Sequence, residues 1–517
     1  MIGVYFNGDV FSPIYNHLVS DFAGDILKLS SRTLPVETLN DFISHSYYPI
    51  LRKCWERVLM LELNFAEKNN LLTGSTQNER FEFYVKEIIK KENIELIYKK
   101  YPLFEKQWND EIRQYTDGLK KTLVTITNDI TEAANYFYGD LTTLVVTKIR
   151  PVGDPHKGMK MSTKVTYENE KNQQRILYYK PRNLSLDKGF ERFINWWNNN
   201  AKIKHKVPRV MLKDGYGWCE SISQQKCNDH FKVKSYYLAY GSLVAFSHIF
   251  ATTDLHMENI ISHGEYPVVI DIETLFSCLF EFERNHPVKY HIYSSLLLPS
   301  HADNNIELSP LTFKENVQTD INVFVNPQKK VTSMKMEKKK FNTIKNKNQV
   351  KLNNYIVNFL DYKNEIIEGF EDTMLFILNN KDLFLDKIIE CMSSCLVRIL
   401  TRSTFEYSKI LHNVYHPSSL YYKEKNRDIN VLSNDFYDAD ILNSEIDELL
   451  SGDIPYFEMK FDGKTLMNGR GDSLSTKVIL SPLLKVKKQL KNLSLKSIEQ
   501  TKMDVAFTFI AYQLRVM

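Results

Sequence analysis

No apolar run in this 517-residue chain reaches the length needed to cross a membrane; Tyr236 to Ile249 comes nearest and is cut by Ser and His. The amino terminus, Met1-Ile2-Gly3-Val4-Tyr5-Phe6, lacks the basic start and apolar middle of a secretion signal. Six cysteines in so long a chain give no disulfide framework, so a reduced, cytoplasmic setting is the simplest expectation. Net charge is only +4, too small to imply general affinity for nucleic acid. No internal repeat is present. Charged residues at 25% and hydrophobic ones at 43% are ordinary for a globular enzyme. The length allows a large core divided among about two to four subregions.

The first 135 residues read as mostly helical. Glu82 to Tyr98 and Trp108 to Thr125 carry apolar residues at three- and four-residue steps. Three strand-like segments follow, at Leu141 to Ile149, Lys164 to Tyr167 and Ile176 to Tyr179. Two polar stretches, Arg150 to Met161 and Glu168 to Gln174, separate them, which predicts an antiparallel sheet with one long loop at its tip. Leu184 to Asn198 returns to helical spacing, with Phe190, Phe193, Trp196 and Trp197 as packing residues. Tyr236 to Ile249 is a further apolar helix. Lys329 to Lys351 is lysine-rich around Lys338-Lys339-Lys340 and reads as a solvated insertion. Helical character resumes from Asn354 to Leu411, strand-like pieces follow Asp453, and Ser497 to Leu514 closes the chain as a helix. The expected divisions are 1–135 helical, 136–185 sheet, 186–300 catalytic core, 301–352 insertion, 353–450 helical lobe and 451–517 terminal segment.

The most informative segment is Thr253-Asp254-Leu255-His256-Met257-Glu258-Asn259, followed by Pro267 to Ile270 and then Asp271-Ile272-Glu273. An Asp, an Asn five residues on and a second Asp after an apolar run suit phosphoryl transfer, which needs positioning and charge neutralisation more than covalent help. Asp254 can orient an acceptor hydroxyl. Asn259 and Asp271 can hold magnesium against nucleotide oxygens. Pro267 to Ile270 reads as a buried strand whose pleat would put Asp271 and Glu273 on one face. Lys180, in Tyr178-Tyr179-Lys180-Pro181-Arg182, can pair with nucleotide phosphates from a strand end.

The loop Gly153-Asp154-Pro155-His156-Lys157-Gly158 occupies the place of a phosphate-covering loop, yet a carboxylate repels phosphate, which points to a second job. Arg398 to Thr404 supplies cations and hydroxyls able to hold a departing phosphate. On one continuous helix Arg398 and Thr404 would point about 120° apart. Both reach one phosphate only if that helix breaks between them; otherwise the two arginines sit on a solvated helix. Cys391 and Cys395, one turn apart with no matching pair, read as core rather than a zinc site. His412 and His416 are also one turn apart, but Pro417 signals a helix end. Arg470-Gly471-Asp472 is most simply a turn.

Together these segments resemble the dehydratase portion of class II lanthipeptide synthetases, the LanM type. The match runs through Asp154 to Gly158, Tyr179 to Arg182, Tyr216-Gly217-Trp218, Thr253 to Asn259, Ile270 to Phe276, Arg398 to Thr404, His416-Pro417 and Asp453 to Phe457. The resemblance implies an α+β fold with a two-lobed, lipid-kinase-like core elaborated by extra helices. It implies an enzyme that phosphorylates Ser and Thr of a precursor peptide with ATP and magnesium, then eliminates phosphate to leave dehydroalanine and dehydrobutyrine. Carried over by motif, Lys180, Asp254, His256, Asn259, Asp271 and Glu273 serve phosphorylation. Asp154, His156, Arg398 and Thr404 serve elimination, with His156 and Lys180 as candidate bases. The implied partner is a ribosomal precursor with a leader sequence, and a separate cyclase or a transporter would be further partners. Neither nucleic acid nor stable membrane insertion is expected. Full-length members of the class continue into a zinc-dependent cyclase, whose Cys/Cys/His site this sequence does not offer. The competing readings are a kinase without elimination, and a non-catalytic protein that binds a leader peptide or a partner enzyme.

Overall fold

The computed structural model describes residues 6, 8–30, 33–139, 143–283, 292–299, 307–312, 318–324, 329–342, 346–421 and 438–516. They form an α+β fold in two compact units, each discontinuous in sequence. The first unit comprises Met1–Pro181, Asp320–Lys339 and Arg402–Pro455; the second comprises Arg182–Thr319, Lys340–Thr401 and Tyr456–Met517.

The first unit begins with helices Ser12–Ser30, Val36–Lys68, Gln77–Ile88, Lys91–Lys100 and Phe104–Tyr138. Amphipathic spacing drives them together, and Trp55, Phe104 and Trp108 meet edge to face with centroid separations of 4.7 and 5.7 Å from Trp55. The predicted helix Glu82 to Tyr98 is two helices. Lys90 takes an extended backbone between them, and Ile88 and Ile97 are each buried from a separate axis. Phe104–Tyr138 runs far beyond the predicted Thr125 and stops at Gly139, whose φ of 69° is the left-handed cap glycine tolerates.

Strands Val145–His156, Lys160–Glu168 and Gln174–Lys180 then pair antiparallel in sequence order. The first expected strand position, Leu141, lies outside the described residues. The expected long loop from Arg150 to Met161 is instead mostly strand. The pairing continues through Pro151, Val152 and His156, leaving a tight turn in which Lys157, Gly158 and Met159 all have positive φ. Pro151 and Pro155 sit on the outer strand of this three-strand set, where a missing N–H costs no ladder bond.

In the second unit, helices Ser185–Asn200, His230–Phe250, Lys363–Asn379 and Lys381–Met392 pack around Phe193, Trp197, Phe246, Phe250 and Phe384. Trp196 is only half-buried, against Phe193 and Phe384. Two helices touch backbone to backbone. A Cβ on Gly241 would lie 1.9 Å from the Ile366 carbonyl oxygen, and one on Gly369 would lie 2.0 Å from that of Leu238. The hairpin Ile260–His263 with Tyr266–Val269 follows the Asp254 loop.

The region from Asn354 to Leu411 is not continuously helical. Its helix ends at Met392, and Leu396–Ile399 is a buried strand paired antiparallel with Phe457–Lys460. Val397 and Ile399 are β-branched and suit that pleated, buried environment. The lysine-rich Met336–Asn342 is also strand in its backbone. All six cysteines are buried thiols outside any disulfide. Arg470-Gly471-Asp472 is a turn, with Gly471 at φ +89°.

Candidate functional site

The second unit gathers six of the sequence-predicted residues. The loop carrying Asp254 leaves the helix His230–Phe250 through Ala251, which takes a left-handed φ of 56°. Side chains of the following segment pin it: Ser277 Oγ donates to the Ala251 carbonyl at 2.7 Å, and Thr274 Oγ1 to that of Thr253 at 2.7 Å. Thr252 Oγ1 in turn donates to the Leu275 carbonyl at 2.7 Å. Asp254 itself stands at φ +63°, a strained backbone held by these bonds. The next turn is fixed by the Leu255 and Met257 amides, which donate to Ser295 and Leu308 carbonyls at 2.8 and 2.9 Å.

Asn259 and Asp271 are twelve positions apart in sequence, yet the hairpin closes between them. The Ile270 amide donates to the Asn259 carbonyl at 3.0 Å, so the two flank the open end of the hairpin. Asn259 Nδ2 donates to the Asp254 carbonyl at 2.8 Å, which commits its nitrogen and leaves its amide oxygen as the acceptor. The strand ends at Val269, so the expected pleat does not align Asp271 with Glu273. Arg182 aligns them. Its Nη2 lies 2.9 Å from Asp271 Oδ1, its Nε 3.1 Å from Glu273 Oε2, and its Nη1 2.7 Å from Asp187 Oδ2.

Arg398 enters from the strand Leu396–Ile399, whose amide donates to the Glu273 carbonyl at 2.9 Å. Its Nη1 also bonds Glu273 Oε1, and its guanidinium lies 4.8 Å from the centre of the Tyr456 ring. Arg398 is only 7% exposed, and its Nε and Nη2 have no hydrogen-bond partner among the described residues. Burial opposes its charge, but Glu273 and Tyr456 overcome that and hold its pKa above the ordinary value. Two desolvated N–H donors on a fixed cation suit a tetrahedral anion.

Burial raises the Asp254 carboxyl above the ordinary range, His256 and Arg398 pull it back, and Glu273 and Asp271 raise it further. His256 Nε2 lies 4.0 Å from Asp254 Oδ1. Magnesium commonly uses one or two carboxylates plus water and substrate phosphates rather than a full protein cage. The oxygens of Asn259 and Asp271 fit that need, and among the described residues no cluster of three His, Cys, Asp or Glu forms a metal site. A mostly apolar recess is lined by Asp187, Phe190, Val210, Cys219, and by Ile270 and Ile272 on either side of Asp271 in sequence.

The first unit holds the other four. Lys180 is buried at the end of its strand. Asp154 is exposed and His156 half-buried beside the hairpin tip. Thr404 opens the helix Thr404–Val414 just after the cap Ser403, so the chain does break between Arg398 and Thr404, as joint action requires. Arg402 is not on a solvated helix; it pairs with the buried Glu445 at 3.0 Å. Cys391 and Cys395 are core thiols, and burial pushes Cys395 up to about 11. His412 lies in the last turn of its helix, and His416 follows it.

Two residues went unassigned by sequence. Arg182 and Asp453 both lie inside quoted motifs, but their partners are far along the chain.

A family model described as a domain of unknown function, DUF4135, matches residues 101–460. The chain is also 27% identical over 448 residues to the lacticin 481/lactococcin biosynthesis protein LcnDR2 of Lactococcus lactis subsp. lactis. That alignment covers 81% of this chain and 47% of the relative, so the chain spans about half the length of the curated protein it matches.

Proposed function

We propose, because this chain belongs to the DUF4135 family, that it is a lanthipeptide dehydratase. The resemblance to the LanM dehydratase region holds, since every motif from Asp154 to Phe457 lies within the matched residues and the relative is named for lacticin 481/lactococcin biosynthesis. On this reading it phosphorylates Ser and Thr of a ribosomal precursor peptide and then expels phosphate, within a two-lobed, lipid-kinase-like core. A leader sequence on the precursor and a separate cyclase or transporter are partners under the same proposal.

Asp254 orients the acceptor hydroxyl and accepts its proton as the oxygen attacks the γ-phosphorus of ATP and ADP leaves. Its raised carboxyl sits nearer the range of a working base. His256 stands beside Asp254 and Lys180 pairs with nucleotide phosphate. Magnesium, when bound, neutralises charge on the transferring group, and Asn259 and Asp271 would hold it, with Glu273 keeping Arg182 and Arg398 in place. Elimination then removes the α-proton, forms the C=C bond and releases phosphate. Arg398 and Thr404 receive the leaving phosphate, Asp154 and His156 act at the hairpin tip, and His156 or Lys180 is the base.

The observation that carries this reading is the buried Arg398, whose Nε and Nη2 are unpartnered among the described residues and stand among the acidic side chains of the Asp254 site. A kinase alone has no need of a second desolvated cation there. Incubation with a cognate precursor, ATP and magnesium should yield successive losses of one water per modified residue by mass spectrometry. Accumulation of stable phosphopeptide alone would overturn this reading in favour of a kinase without elimination.

A further inference from the structure

The hairpin tip carrying Asp154 and His156 is clasped by a short segment almost three hundred residues away. Asp453 Oδ2 accepts from the Gly158 amide at 2.6 Å, and Oδ1 accepts from the Met159 amide at 2.7 Å. The Ile454 amide donates to the Pro155 carbonyl at 3.0 Å. His156 Nδ1 lies 2.8 Å from the Ile454 carbonyl oxygen. Four hydrogen bonds therefore join the turn Pro155 to Met159 to the dipeptide Asp453-Ile454, with both oxygens of one carboxylate spent on backbone amides.

Each side of this clasp is built to be rigid. The helix Ala439–Leu450 ends in a Gly452 cap at φ +86°, with the Gly452 and Asp453 amides donating to Leu449 and Glu448 carbonyls at 3.1 Å each. Gly452 packs against Glu111, where a Cβ would fall 2.6 Å from the carboxyl carbon, so no larger residue fits there. Glu111 is buried and bonded to Lys53. On the other side, Gly118 of the helix Phe104–Tyr138 lets the hairpin turn approach, with Met159 O 3.0 Å from where its Cβ would be. Asp453 is 4% exposed, so its two bonds to backbone amides are shielded from water.

The chemical consequence lies in the imidazole. A carbonyl oxygen can only accept, so Nδ1 of His156 must be the donor. In its neutral state the ring is then the Nδ1–H tautomer, and Nε2 carries the lone pair. An unconstrained histidine in water prefers the opposite tautomer. We propose that Asp453 is a positioning residue that, through the hairpin turn and the Ile454 carbonyl, holds His156 as the Nδ1–H tautomer with a basic Nε2. The role of that nitrogen as the elimination base rests on the proposed function; the tautomer itself does not.

The test is two-bond ¹H–¹⁵N spectroscopy of the full chain, deuterated except for ring-protonated [¹⁵N]histidine, at a pH above imidazole titration. His156→Gln assigns the signal by its disappearance. Wild type should show a protonated, pyrrole-type Nδ1 and an unprotonated, pyridine-type Nε2 shifted well downfield. Asp453→Ala should move both nitrogens toward the averaged positions of exchanging tautomers, and Asp453→Glu should restore part of the wild-type separation. An Nε2–H signature in wild type overturns the proposal without any variant needing to fold. A wild-type signature unchanged in Asp453→Ala and in Asp453→Asn overturns the part given to Asp453. Neither measurement needs substrate. A chain that proves to phosphorylate without eliminating leaves the tautomer standing, whereas the wrong tautomer leaves dehydration standing with Lys180 as its base.

Discussion

Arg182 donates to Asp271 at 2.9 Å, joining the first residue of one compact unit to an acidic side chain 89 positions downstream. The same guanidinium serves Asp187 and Glu273, so three carboxylates share one buried cation. Asp271 keeps its place beside Asn259 because Arg182 offsets the repulsion between it and Glu273.

Arg182→Ala should therefore cost about 3–5 kcal/mol, the usual penalty for leaving buried charges uncompensated. Asp271 is 35% exposed, which favours the lower end. Magnesium at millimolar concentration should raise the melting temperature of this variant more than that of wild type, since the ion takes up the released charge. Equal magnesium responses would mean that Asp271 and Glu273 do not face the ion.

Asp254→Asn tests the raised carboxyl. A folded-state pKa above the unfolded one means the native state binds the proton more tightly, so this group costs stability as pH rises through that window. At neutral pH the variant should melt at or above the wild-type temperature while phosphorylation falls on the order of a hundredfold or more. The stability difference should vanish below about pH 4, where both forms are neutral. Lower stability of the variant at neutral pH would show that the charged carboxylate is a net structural asset.

Arg398→Lys keeps a positive charge against Glu273 but removes the fork. Phosphopeptide should accumulate, with elimination slowed on the order of 10²–10³-fold and phosphorylation changed far less. Rate constants for the two steps, followed separately by mass spectrometry, decide it. Parallel loss of both would assign Arg398 to nucleotide binding.

His205 provides an acid-sensitivity check away from the site. Burial pushes its pKa down to about 3, with Nε2 bonded to Ser242 Oγ at 2.8 Å and Nδ1 unpartnered among the described residues. The unfolded side chain binds a proton near pH 6.5, so stability present above that value is lost as pH falls toward 3, at roughly 1.4 kcal/mol per unit. Denaturant titrations from pH 7 to 4 (about the range in which only the unfolded histidine is charged) should show that slope in wild type and a shallower one in His205→Asn. Identical slopes would place the proton-sensitive group elsewhere.

Much of the architecture was readable locally. The helices before residue 139, the three successive strands and the apolar helix leading to Asp254 announce themselves by periodicity, because each buries one face of its own. Errors fell where local pattern and tertiary use diverge. Leu396, Ile399 and Leu400 satisfy a helical stripe as well as a strand, and only pairing with Phe457–Lys460 selects the strand. The segment Arg150 to Met161 looks like a loop because it is polar, whereas an outer strand tolerates both polar side chains and proline.

The amino-acid sequence by itself determined the chemistry on offer: an Asp–Asn–Asp constellation, strand-end lysine, histidine-bearing turn and late arginine, all within reach of motif reading. Tertiary structure decided which groups are charged, shared or spent. Arg182 became the common counter-ion of three acids, and Asp453 the clamp on His156, because ion pairs and backbone hydrogen bonds act over a few ångströms regardless of chain separation. No local pattern records a partner 89 or 294 residues away.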